Sequence, residues 1–426
     1  MNTEDSGILG PESGAPSATL DPDGRSLAPM LPHRRRFTPW RLLVGGARWF
    51  LGALCSTWAL LSVLGIGWSG RAARRETLRT WWRVSPVRAR GITFESFAAA
   101  DPATADCAGW PSWFAGTPDA IPAASGRWRR GVHRAFGGLA QNARLGVGLL
   151  LNTWVLTLPP CLLWAVAWFA GWQNSFNKGY EHAWFGPTVF VLGMLWFSAA
   201  MAHVPLAQAR QASTGDWRRF YDFRLLWRLI RRQWLASVVL ALVWAGACGL
   251  VLLIKLAPQL AQYVPGLLEL PASEQWRVSR NVYFAGALVL FPAFLLTRLL
   301  AARLYAQALR RAYQCGAILE DDLGEWEWQA LRRLELLTPS AAPERRWWLR
   351  LAAWLATRTG QLTAAAAVFL VWFALSFLVV VSEFIARTDH SRGWWNQPMI
   401  QLTWFDYTPD ALHERRHPEP EAARSR

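Results

Sequence analysis

Lysine is almost absent from this chain of 426 residues: Lys178 and Lys255 are the only lysines among its 45 basic side chains, and all the others are arginine. Acidic residues are sparse as well, 29 in all, leaving a formal charge of +16. Such an excess invites a nucleic-acid reading, but no nucleic-acid-binding motif accompanies it and the arginines gather beside apolar stretches, so nucleic acid is excluded as a partner. The five cysteines have no paired spacing, which excludes a disulfide framework and a cysteine metal site; Cys55, Cys161 and Cys248 fall within apolar stretches and read as small core residues. Alternating segments of roughly ten residues are missing too, which excludes a membrane barrel. No small-residue cleavage site follows the first apolar stretch, and a polar tail of 48 residues precedes it, so a secretory signal is not expected.

What is present is a set of apolar stretches, at 49–68, 146–170, 184–206, 235–256, 282–302 and 361–383. Each is near the roughly 20 residues that cross a hydrocarbon core of about 30 Å. Inside a bilayer a free peptide group finds no water, so these stretches must be helical. The expected fold is an all-α integral membrane protein, a bundle of five or six transmembrane helices with amphipathic interfacial helices on the cytoplasmic side. Charged residues are 17% of the chain and mean hydropathy is only +0.11, so much of the chain lies outside the membrane.

Arginine asymmetry sets the expected orientation. The connections 209–234 and 303–350 hold seven and eight arginines, whereas 171–183 and 257–281 carry one and two basic residues. The first pair should face the cytoplasm of a bacterial inner membrane, and the tail beyond Glu383 the periplasm. The first stretch resists this scheme, because arginines flank it on both sides: Arg41 and Arg48 before, Arg71, Arg74, Arg75 and Arg79 after. Either the amino-terminal tail is exported, or residues 37–68 form a re-entrant or surface-lying element.

Residues 1–33 read as a disordered tail, 34–383 as the helical membrane domain with a loop insertion at 97–126, and 384–426 as an extended tail. Three segments share one design, a basic and aromatic arm running into a span: 127–151, 216–240 and 344–370. They are either a weak internal repeat or the common form of a cytoplasmic approach to a spanning helix. The second arm, DWRRFYDFRLLWRLIRRQW at 216–234, is the most marked, and its Arg218, Arg219, Arg224, Arg228, Arg231 and Arg232 are the candidate contacts to anionic lipid head groups. The stretch from His203 through this arm resembles polytopic bacterial membrane domains of unknown function, over about residues 140–310. That resemblance implies an inner-membrane bundle and supplies no catalytic residues.

Other motifs are weaker. HERRH at 413–417 has the spacing of a zinc metalloprotease helix, but Pro418 ends it at once and no packed second shell is in view, so neither a metal nor a cofactor is assigned. Pro159, Pro160 and Pro292 sit inside spans as candidate kinks, which in a small-solute transporter mark a substrate site and otherwise are re-satisfied by neighbouring helices. Gly246 and Gly249 suggest close helix contact. His203, Lys255, Arg298 and Glu383 lie near span ends, where snorkelling to the interface is expected. The acidic run Glu320, Asp321, Asp322, Glu325 and Glu327 reads as a solvated face, and the tryptophans as interface anchors. These readings give a non-enzymatic membrane protein that contacts lipid and assembles with membrane-protein partners or with itself. A small-solute transporter is the alternative, and a zinc protease the third.

Overall fold

The computed structural model describes residues 39–116, 127–167, 184–261, 266, 269–338 and 347–379. The polar termini, the HERRH motif, Lys178 and Glu383 lie outside them. Every regular element among the described residues is helical. The long helices are α1 (Pro39–Ser56), α2 (Ala59–Arg83), α6 (Arg127–Val166), α7 (Phe185–Thr214), α9 (Trp234–Ala261), α10 (Ala272–Gln314) and α12 (Trp347–Val379). Short helices α3 (Pro86–Ala89), α4 (Phe94–Ala99), α5 (Pro102–Ala105), α8 (Phe223–Arg232) and α11 (Glu325–Arg333) lie between them. Among the described residues five helices are long and apolar enough to cross a membrane, within α6, α7, α9, α10 and α12. Their outer faces carry exposed Leu162, Leu192, Leu253, Leu296 and Leu370, a surface suited to lipid rather than water.

The expected span at 49–68 is not one helix. At Ser56 the i→i−4 ladder gives way to i→i−3 bonds, Thr57 N donating to Leu54 O at 3.2 Å and Trp58 N to Cys55 O at 3.4 Å, and the Thr57 hydroxyl also bonds Leu54 O, at 2.7 Å. Trp58 is extended, with φ −121° and ψ 131°, and α2 starts after it. The apolar part of α1, Leu43–Ser56, is accordingly shorter than a span.

Helix α2 is the centre of the bundle, packed by α6, α7 and α10. It approaches α6 antiparallel and very closely. A Cβ on Gly67 would lie 1.8 Å from Asn142 O, and one on Gly146 2.0 Å from Val63 O. Glycine is required at this crossing because the two backbones touch. Gly246, by contrast, faces open space, and a Cβ on Gly249 would meet only Leu375 Cδ2, at 3.4 Å, so the suggested contact there is not a close one.

Helices α6 and α10 run unbroken through Pro160 and Pro292. Each of these prolines frees the carbonyl four residues back. A tryptophan from a neighbouring helix binds each one: Trp196 Nε1 donates to Leu156 O at 3.3 Å, and Trp49 Nε1 to Leu288 O at 2.7 Å. The aromatic filling around them is dense. Trp164 packs on Phe197 and Phe197 on Trp372, with centroids 5.2 and 5.5 Å apart, while Trp68 stacks on Trp113 at 4.9 Å beside Phe291. Trp49→Phe is expected to destabilise the protein by about 1–3 kcal/mol in the wild-type background, by orphaning Leu288 O. In a Pro292→Ala background, where the restored amide serves that carbonyl, the loss should nearly vanish; equal losses in both backgrounds, read by thermal unfolding in detergent, would refute the pairing.

Several tryptophans are therefore not interface anchors. Trp68, Trp81, Trp164, Trp244 and Trp372 are at most 2% exposed. Trp68 Nε1 donates to Pro111 O and Trp81 Nε1 to Ala306 O, both at 2.9 Å. The expected loop insertion is likewise built into the fold as far as residue 116: Phe97, Ala98, Cys107 and Trp113 are buried, and Arg333 Nη1 ties Asp101 at 2.7 Å. Burial pushes the Cys107 thiol pKa far up, so it stays a neutral packing group.

Candidate functional site

One end of the bundle collects the arginines. Of the expected arms, the first and third continue directly into α6 and α12, while the second is set off as α8 by a break at Gln233, with φ −118° and ψ 45°. Leu225, Leu226 and Leu229, spaced for one helical face, are buried against the bundle. The apolar face of α8 is thus covered by protein. Gln361 of α12 donates to Arg231 O at 3.0 Å, satisfying a carbonyl at the end of α8.

The six candidate arginines divide. Arg218, Arg224, Arg231 and Arg232 are exposed. Arg219 Nη1 pairs with Asp222 at 3.4 Å within the arm, and Arg228 Nη1 with Asp322 at 3.4 Å, which ties the arm to the segment before α11. Beneath them lies Arg210, a residue not singled out from sequence because it counts there as one more loop arginine. It is 0% exposed, pairs with Asp222 Oδ2 at 3.0 Å and donates to Asp322 O at 2.9 Å. The acidic run is only partly a solvated face. Glu327 is fully buried, pairs with the Tyr305 hydroxyl and accepts from Gly324 N at 2.7 Å, capping α11.

Deeper in the bundle, a chain of hydrogen bonds crosses four helices. Gln208 Nε2 donates to Thr153 Oγ1 at 2.8 Å, Arg298 Nε to Gln208 Oε1 at 3.5 Å, and Arg298 Nη1 to Ser69 Oγ at 2.6 Å. Arg298 is 6% exposed and His203 1%, the latter with Nε2 2.9 Å from Phe220 O. Neither snorkels: each finds its partner inside the protein, which is the cheaper solution once several polar helices pack together. A void of about 20 Å³, room for roughly one water, lies beside Arg298 and Ser69.

No protein-family model, no curated protein and no solved structure matches this chain. The site must therefore be read from its own chemistry. Among the described residues no group of three or more His, Cys, Asp or Glu side chains is placed to hold a metal ion.

A cleft of about 750 Å³ opens between α2, α5, α6 and the end of α7. Arg71 and Arg74 form one wall, Asp106 sits beside them, Arg144 and Asn152 come from α6, and Gln211 from α7. Arg71 Nη1 is held by Ser112 O and Asn142 Oδ1, both at 3.1 Å. Arg74 reaches Ala103 O at 3.2 Å and Asp106 at 3.4 Å, with its guanidinium 4.8 Å from the Trp326 ring. Burial lowers the pKa of Arg71, and Asp106 works against that shift. Asn152 Nδ2 bridges Gln211 Oε1 and Trp217 O, each at 3.0 Å, joining the cleft to the start of the arm.

Proposed function

We propose that this chain is a non-enzymatic polytopic protein of the bacterial inner membrane that engages anionic lipid head groups through its arginine-rich end and there assembles with membrane-protein partners or with further copies of itself. The arginine-rich end faces the cytoplasm in this reading, and the segment beyond residue 383 the periplasm. The observation that carries it is the construction of the arm. Helix α8 buries three leucines in the bundle and is clamped by Arg210, Asp222 and Asp322, so Arg224, Arg231 and Arg232 are held outward on it, with Arg218 on the turn of helix just before. A guanidinium meets phosphate bidentately, and its planar fork loses little freedom for each hydrogen bond formed. The aromatic packing beside Pro160 and Pro292 favours this over a small-solute transporter, which needs a polar cavity at that depth.

Replacing Arg218, Arg224, Arg231 and Arg232 together by Gln tests it. Each basic residue near an anionic surface contributes about 1 kcal/mol. Reconstituted in discs of mixed phosphatidylcholine and phosphatidylglycerol, the wild type should enrich phosphatidylglycerol around itself and the variant should lose most of that enrichment. Identical lipid composition around the two would contradict the reading.

A further inference from the structure

We propose that the cleft between α2 and α6 is a discrete site for a single phospholipid with an anionic headgroup, its phosphate held by Arg71, Arg74 and Arg144 and its acyl chain laid along α6. This rests on the reading of the arginine-rich end as a lipid-contacting surface, but names a different part of it from the arm.

Charge is the first argument. Three guanidiniums line the cleft against one carboxylate, Asp106. Arg74 lines the cleft with its side chain still 22% exposed, so its guanidinium, already beside Asp106, has donors left for a further acceptor. The amide of Gln211 stands beside Gly148, close enough that a Cβ there would meet its Nε2 at 2.9 Å. At about 750 Å³ the space is of the size that takes an organic ligand rather than a bare ion.

The second argument concerns the source of the phosphate. Val147 and Leu151, which line the cleft, are also the first members of an exposed apolar stripe on α6 that continues through Val155, Leu162 and Val166. These positions recur at helical spacing on one face. From Val147 to Val166 the stripe is about 28 Å long at 1.5 Å per residue, close to the roughly 30 Å of a hydrocarbon core. An anion seated among the arginines therefore has an apolar track leading from it toward the membrane interior. Trp217, 56% exposed, stands at the cleft, where an indole suits the headgroup level. A soluble phosphate compound uses the arginines but has no use for the track.

Native mass spectrometry of the full chain, delipidated in detergent and titrated with phosphatidylglycerol, tests the proposal. The wild type should take up one lipid saturably. Gly148→Leu, which fills the cleft and displaces the amide of Gln211 from beside Asn152 without meeting backbone, should abolish that uptake. Arg144→Gln, at an exposed position that leaves the packing intact, should weaken it about tenfold or more, as expected for loss of a charge-assisted contact. Phosphatidylcholine should bind more weakly, and inorganic phosphate or glycerol phosphate should fail to displace the lipid. Uptake unchanged in both cleft variants overturns the proposal, and so does full displacement by the soluble phosphates, which assigns the cleft to a soluble ligand. The fourfold arm variant should keep the single tight lipid. If that variant alone loses it, the cleft proposal fails while the arm reading stands; if only the cleft variants lose it, the cleft stands whatever becomes of the arm.

Discussion

Gly146→Ala is expected to destabilise the protein by about 3 kcal/mol, at the upper end of the usual cost of overpacking. A methyl group at this position would lie 2.0 Å from Val63 O, and the obstructing atom is backbone, so no rotamer change relieves it. Helices α2 and α6 must separate. That separation also pulls Asn142 from Arg71 and from Trp113 O, bonds now at 3.1 and 3.2 Å, so the cost reaches the segment around Trp113 that stacks on Trp68. Gly67→Ala should behave alike, its Cβ being 1.8 Å from Asn142 O. Gly246→Ala is the matching control, since it faces open space and replaces a poor helix former by the best one. Thermal unfolding of the purified protein in detergent compares the three. A Gly146→Ala protein that melts with the wild type would show that the close crossing is wrong.

Asp222→Ala is expected to cost about 3 kcal/mol, the lower end of the range for breaking a buried ion pair. Arg210 would remain buried with its nearest carboxylate gone, and its Nε and Nη1 already lack hydrogen-bond partners among the described residues. The cost stays at the lower end because the Asp222 side chain is 35% exposed. Arg219→Gln removes the other contact to the same carboxylate, 3.4 Å away, from a side chain 32% exposed. It should cost well under about 1 kcal/mol, as surface pairs do. Equal losses in the two variants, measured by the same unfolding assay, would mean that Asp222 serves the surface and does not compensate Arg210.

Much of this architecture is legible in the sequence, and the parts that are not share a cause. Apolar runs of spanning length locate five of the long helices, because the bilayer leaves a backbone no alternative. The two faces of α8 are equally plain, since leucines and arginines alternate at helical spacing. Helix α2 is different. Its Arg71, Arg74, Arg75 and Glu76 look like an interfacial loop, yet Arg71, Arg75 and Glu76 are buried, and their partners come from segments distant in the chain: Ser112 and Asn142 for Arg71, Glu95 for Arg75, Arg303 for Glu76. Periodicity reports which face is apolar; it carries no information about a polar face satisfied by remote partners. The same holds for the prolines. Their positions are visible, but the indoles that serve Leu156 O and Leu288 O belong to other helices. Glycine shows the limit most simply, as Gly146 and Gly246 are alike in sequence and opposite in environment.

The orientation of the arginine-rich end is the claim on which the functional reading depends, and a native cysteine tests it directly. Cys315, at the end of α10 beside the acidic run, is exposed, while Cys55, Cys107, Cys161 and Cys248 are buried. A membrane-impermeant maleimide should label the full chain in inside-out membrane vesicles and leave it unlabelled in right-side-out ones, with Cys315→Ser abolishing the signal. Labelling of Cys315 in right-side-out vesicles would place the arginines outside the cell and contradict the account.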